Sequence, residues 1–323
     1  MSFLTNLDTP SDIFTLFLAL AVVFLNGFTD APNSIASCVG TKAMKMKKAC
    51  ILCAIFNFLG VFLTLQMNAS VAKSVFEFAD FSDKMQQGVI ASLATVCIFS
   101  AGAWLFSMPS SESHALIGAI AGVSLAIGNE FENSGEFLKI LGGVAVSCVV
   151  SFFISFAFCK LLGERSLPYN KLQTVSAALS SFAHGAQDGQ KFVGIIMLLC
   201  VSENTDLGTP VSIILTVSIV MALGALLGGG RIIKTLSEKT VKLSGRSAFA
   251  SDISSFASAM VFSLVGMPVS TSNIKACALM GAGSALKEKI NKKTATSLLI
   301  TTLLTFPVCI ALGYIITKLI ILF

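Results

Sequence analysis

The sequence predicts an all-α polytopic membrane protein, an inverted-topology repeat of two five-helix halves with discontinuous helices. Three observations lead there. The 323 residues are 54% hydrophobic and 12% charged, with a mean hydropathy of +0.85, and a soluble chain carries about twice that charge. Apolar runs of about 20 residues or more, enough to cross a bilayer, recur along the whole chain. Two polar signatures also return at one offset: Asp188 follows Asp30 by 158 residues, and Pro268 follows Pro109 by 159.

Taken in order, the apolar runs place spans at 11–40, 47–66, 86–106, 113–128, 140–161, 172–200, 210–228, 247–266, 269–286 and 294–321. Each half then holds five crossings, 1–165 and 166–323. An odd number sends the second half in from the opposite face, which defines an inverted repeat. Charge supports ten crossings. Basic residues collect in the loops after the first, fifth, seventh and ninth spans (Lys42–Lys48, Lys160–Lys171, Arg231–Arg246, Lys287–Lys293), which hold 16 of the 22 Lys and Arg. Acidic residues such as Asp8, Glu77, Asp83, Glu132 and Asp206 fall on the other side. Basic loops stay in the cytoplasm, so both termini are expected outside it, in a multi-pass protein of the plasma membrane.

That placement explains the net charge of +5 as a topology signal and argues against nucleic acid as a partner. Membrane lipid is the expected surround, and a homodimer is compatible with the sequence without being required by it. No basic segment precedes the first apolar run, so no cleaved signal peptide is expected. Cys38, Cys97, Cys148, Cys200 and Cys309 lie inside apolar runs and read as small hydrophobes. Cys50 and Cys53 form a CxxC without a second Cys/His pair, so no metal centre follows.

Two runs are too long. Spans 11–40 and 172–200 exceed the ~20 residues a bilayer needs, and each contains a polar interruption, Gly27–Asn33 and Gly185–Lys191. The economical reading is a broken helix at each, since irregular backbone at membrane depth survives only where it is buried or lines a wet cavity. A carboxylate there costs at least ~2.5 kcal/mol on insertion scales, which makes Asp30 and Asp188 functional candidates.

A second pair of interruptions opens spans four and nine, Met108–His114 and Met267–Asn273. Pro and Ser/Thr at a helix start leave free N–H groups and hydroxyls, and the partial positive charge of the terminus suits an oxyanion. Ser111, Ser113, Ser270, Thr271 and Ser272 are the candidate cradle. Asp30 and Asp188 repel an anion, so they make sense if a cation enters with it. Sodium takes carboxylate, amide and carbonyl oxygens, and a proton neutralises the acid directly. The halves differ where Asn33 follows Asp30 and Lys191 follows Asp188. Lys191 replaces a cation, contacts the anion, or forms a structural i,i+3 pair. His114 either titrates during transport or makes a structural hydrogen bond. Lys275 is placed near the outer mouth, attracting anions or snorkelling to the interface.

At these residues the chain resembles the inorganic phosphate transporter (PiT) family, bacterial type. Gly27–Ala36 resembles the family's first G-[AF]-x-D-x-[AP]-N signature, and His184–Lys191 resembles the second, usually HGANDxQK. Pro268–Asn273 is close to the family's PVSTTH, and Pro109–His114 is a looser copy. The resemblance implies a cofactor-free symporter that takes up inorganic phosphate with Na⁺ or H⁺ by alternating access. By carry-over, Asp30 and Asp188 serve the coupling cation with Asn33 beside them, and Glu112–Ser113 and Thr271–Ser272 hold phosphate. Gln187 is a further candidate for the cation, Ser111, Ser270 and Lys191 for phosphate, and His114 and His184 for proton transfer or gating. Three departures stand out: Gln187 for Asn, Asn273 for His, and Glu112 where a hydroxyl is expected. An acid near the anion alters either the coupling ion or the substrate, so a sulfate or metal–phosphate permease stays open. A channel or a non-transporting sensor is a reading from another class, and no catalytic set suggests an enzyme.

Overall fold

The structure is a computed structural model that describes residues 9–79, 81–106, 111–128, 134–198, 210–228, 230, 233, 244–288 and 292–322. Several acidic loop residues, the basic residues 234–242, Cys200 and the Pro109–Ser110 start of the fourth span lie outside them. Among the described residues the fold is all-helical, and each of the ten expected spans coincides with helix.

Helix α1 (Pro10–Thr29) opens with a reciprocal cap. Thr9 Oγ1 accepts from the Asp12 N–H at 3.2 Å while the Asp12 carboxylate accepts from the Thr9 N–H at 3.2 Å. It ends because Pro32 lacks an N–H and its ring crowds the carbonyl four residues back. A 3-10 turn, Ala31–Ile35, and the short helix α2 (Ala36–Gly40) complete the crossing. The expected first break is therefore present at Asp30.

The second expected break is not. Helix α8 (Tyr169–Met197) runs through Gly185–Lys191 without interruption. Its 29 residues span about 43 Å at 1.5 Å per residue, which matches hydrocarbon plus interfacial layers. Its glycines serve packing instead. A Cβ at Gly185 would stand 2.3 Å from the Asn57 carbonyl oxygen, and one at Gly189 would stand 2.6 Å from the Val61 side chain, both on α3 (Met46–Met67). With no proline from 169 to 197, nothing removes a hydrogen bond from the ladder.

The remaining elements are α4 (Ser70–Phe78), α5 (Met85–Leu105), α6 (Glu112–Ile127), α7 (Ser134–Leu161), α9 (Val211–Leu227), α10 (Gly245–Leu264), α11 (Thr271–Ala285) and α12 (Lys292–Leu322). A 3-10 turn at Ser82–Lys84 leads into α5, and the short α4 is the one described α-helix that the span analysis did not anticipate. It buries Val71, Ala72, Val75 and Phe78 on one face, and its run is too brief for a hydropathy signal. Helix α3 packs on α8 and α9, α1 on α9, α6 on α12, α7 on α11, and α10 on α8 and α11.

Among the described residues, six helical stretches are long and apolar enough to cross a membrane: Pro10–Gly40, Met46–Met67, Met85–Leu105, Ile140–Leu161, Gly245–Leu264 and Ile300–Leu322. Helix α12 exposes Leu303, Leu304, Ile315, Leu319 and Leu322. Polar residues point inward, with Asp30, Glu112, His184, Asp188, Lys191 and Asp252 all buried. Apolar outside and charged inside is the arrangement of a multi-pass membrane protein.

Candidate functional site

The site forms where α6 and α11 begin. Ser111 and Ser270 are their N-caps, and each hydroxyl accepts from the N–H three residues on, that of His114 and of Asn273, at 3.3 Å. The same hydroxyls meet, Ser111 Oγ to Ser270 Oγ, at 2.8 Å. Two helix starts thus point at one place from opposite halves of the sequence. Each contributes first-turn N–H groups that lack intrahelical partners and carry partial positive charge.

The carboxylates close around this junction. Asp30, at the helix break, accepts from Asn33 Nδ2 at 2.9 Å and from Ser272 Oγ, and Asn33 Nδ2 also reaches Ser272 Oγ at 2.6 Å. Asp188 accepts from Thr271 Oγ1 at 3.0 Å and from Asn26 Nδ2 at 3.4 Å, lies 3.2 Å from His184 Nε2, and forms an ion pair with Lys191. Lys191 also donates to Ser113 Oγ at 2.6 Å and to the Val269 carbonyl. One ligand atom from each of Asp30, His184 and Asp188 lies within 4.8 Å of the other two. Acids 158 residues apart therefore share one buried pocket, with oxygen and nitrogen donors suited to a cation beside helix starts suited to an anion.

Ser111, Ser113, Ser270, Thr271, Ser272, Lys191, Asp30, Asn33, Asp188 and His184 come together as these contacts describe. Gln187 takes another course: its amide donates to the Met267 carbonyl at 2.9 Å and ties α8 to the approach of α11. Glu112 turns toward α1 and accepts from Thr29 Oγ1. His114 is stacked on Phe306 with ring centroids 4.7 Å apart. His184 is held by Asn57, Nδ1 to Oδ1, at 2.7 Å. Lys275 is not at an outer mouth. It is buried, paired with Asp252 and within 3.3 Å of Ser37 Oγ, because Asp252 supplies the charge that lets an ammonium stay inside.

A model of the phosphate transporter family matches residues 26–167 and 160–313. The chain belongs to the phosphate transporter family. It is 32% identical to the probable low-affinity inorganic phosphate transporter of Bacillus subtilis, over 93% of this chain and 94% of that one. It is 30% identical to the corresponding Rhizobium meliloti protein over 90% of each chain. The solved structure of a sodium-dependent phosphate transporter has the same fold, with a TM-score of 0.87 at 20% identity, covering 97% of this chain and 100% of that one.

Four residues of this phosphate transporter family member escaped the sequence reading. Asn26 and Thr29 lie in the last turn of α1, and their signal was position: Asn26 is one helical turn before Asp30. Asn57 stands alone in an apolar run. Asp252 is an acid in the middle of span eight with Ser251, Ser254, Ser255 and Ser258 around it, a signal that a lone intramembrane charge always carries.

Proposed function

We propose that this protein takes up inorganic phosphate together with a cation, Na⁺ or H⁺, across the plasma membrane by alternating access. The observation that carries the reading is the Ser111–Ser270 contact at 2.8 Å, with the Lys191–Asp188 ion pair beside it and Asp30 bonded to Ser272. Helix starts and an ammonium favour a tetrahedral oxyanion, and the acids supply charge for a cation that enters with it. The relatives' names point to the same substrate. Both termini lie outside the cytoplasm in this reading, as the basic loops require.

The mechanism takes the two halves, 1–165 and 166–323, as an inverted repeat. The helix pairings support it: α3 on α8 answers α9 on α1, and α6 on α12 answers α11 on α7. Close approaches support it too. A Cβ at Gly60 would meet the Phe182 carbonyl oxygen at 2.1 Å, and one at Gly224 would meet that of Phe24 at 2.3 Å. Gly122 against Ile310 (2.1 Å) and Gly281 against Phe152 (2.2 Å) form a second matched pair. The two family matches divide in the loop between α7 and α8. Rocking of one half against the other exposes the pocket to each side in turn.

The test is uptake of radiolabelled phosphate into proteoliposomes with sodium and proton gradients imposed separately. Accumulation above the external concentration under either gradient supports the reading. Equilibration without accumulation, or preference for sulfate, contradicts it.

A further inference from the structure

Glu112 breaks the match between the halves. Its counterpart, 159 residues on, is the hydroxyl of Thr271, which donates to Asp188 at 3.0 Å. Glu112 instead reaches α1, where Oε1 accepts from Thr29 Oγ1 and Asn26 and Ser100 flank the carboxylate. Glu112 Oε2, Asn26 Oδ1 and Ser100 Oγ are all buried without a hydrogen-bond partner among the described residues. Leaving such a group without a partner inside a protein is costly, and more so for a charged one.

The chemistry of this cluster is one-sided. The Glu112 carboxylate with the Thr29 and Ser100 hydroxyls beside it supplies hard oxygen donors. Asn26 and Thr29 belong to the last turn of α1, where the helix dipole places partial negative charge. Helix C-terminal ends at a chain break are where transporters hold Na⁺. An anion is repelled from this corner, and Lys191 already has Asp188, Ser113 and Val269 as partners. A proton on Glu112 is the competing occupant, and sodium binding measured beside proton uptake separates the two.

We propose that Glu112, with Asn26, Thr29 and Ser100, forms a sodium site of its own beside the shared anion pocket. The consequence for transport rests on the cation-coupled reading: one more sodium moves with each phosphate than a hydroxyl at 112 would allow. The binding claim stands apart from that reading and is tested first.

The experiment is equilibrium binding of radiolabelled sodium to the purified full-length protein, without phosphate, for wild type, Glu112→Gln and Ser100→Ala. The expected result is one fewer sodium bound per chain in Glu112→Gln, and the same complement at lower affinity in Ser100→Ala. Size-exclusion profiles establish that each variant is folded, and Ser100→Ala carries the test if Glu112→Gln is not. Equal number and affinity of bound sodium in a folded variant overturns the proposal. So does a wild type that binds no sodium, or a difference that appears only as proton uptake. In proteoliposomes the sodium-to-phosphate flux ratio should fall by one in Glu112→Gln. Failure of wild type to accumulate phosphate refutes the phosphate reading and leaves the sodium count standing.

Discussion

Replacing Lys191 by Asn, the residue its counterpart position carries at Asn33, probes the charge balance of the pocket. Lys191 is among the largest fully buried side chains, and its ammonium contacts Asp188, Ser113 and the Val269 carbonyl. Removing one partner of a buried ion pair costs about 3–5 kcal/mol. Asp188 keeps Thr271, Asn26 and His184, which puts the loss near the lower end, about 3 kcal/mol. The freed carboxylate is then a site for one more cation. A ligand at 100 times its Kd returns about 2.7 kcal/mol, nearly the whole loss. Thermal unfolding of wild type and Lys191→Asn in detergent, in choline and then with sodium or acid added, measures this directly. The gap between the two proteins should narrow to a small fraction of its starting size. A gap that neither cation narrows, or no gap at all, refutes the argument that Lys191 stands in for a cation.

Other substitutions test separate parts of the structure. Asp30→Asn and Asp188→Asn should each abolish gradient-driven phosphate uptake while the protein still reaches the membrane, as measured by uptake and by membrane fractionation. Asp252→Asn strands the buried Lys275 ammonium and should lower stability by about 3–5 kcal/mol. The double variant Asp252→Leu with Lys275→Leu, which copies the buried Leu93 and Leu116 of the first half, should recover most of that loss in the same unfolding assay. Gly185→Ala should drive α3 and α8 apart, since the new Cβ would stand 2.3 Å from a backbone carbonyl oxygen. Size-exclusion chromatography should show little folded protein. Wild-type yield would mean that this glycine serves a flexible break after all.

The helices were legible in the sequence because hydrocarbon thickness sets a length that composition reports directly. The first break was legible because Pro32 removes a donor next to Asp30. The second misled for a physical reason. Glycines at 185 and 189 look like helix breakers, but inside a bundle a glycine also lets two backbones touch, and sequence alone does not distinguish the two uses. The pocket itself was largely readable, since intramembrane acids and Ser/Thr-Pro helix starts are costly without a function. Contacts across long sequence separations were not readable. Nothing local announces that Glu112 faces Thr29, that Asn57 holds His184, or that Lys275 finds Asp252.

The most direct test of a shared pocket is an experimental structure with phosphate bound. The anion should lie within hydrogen-bond distance, about 3 Å, of the helix starts at both Ser111–Ser113 and Ser270–Ser272. Phosphate held by one half alone, or bound away from both helix starts, would contradict the account.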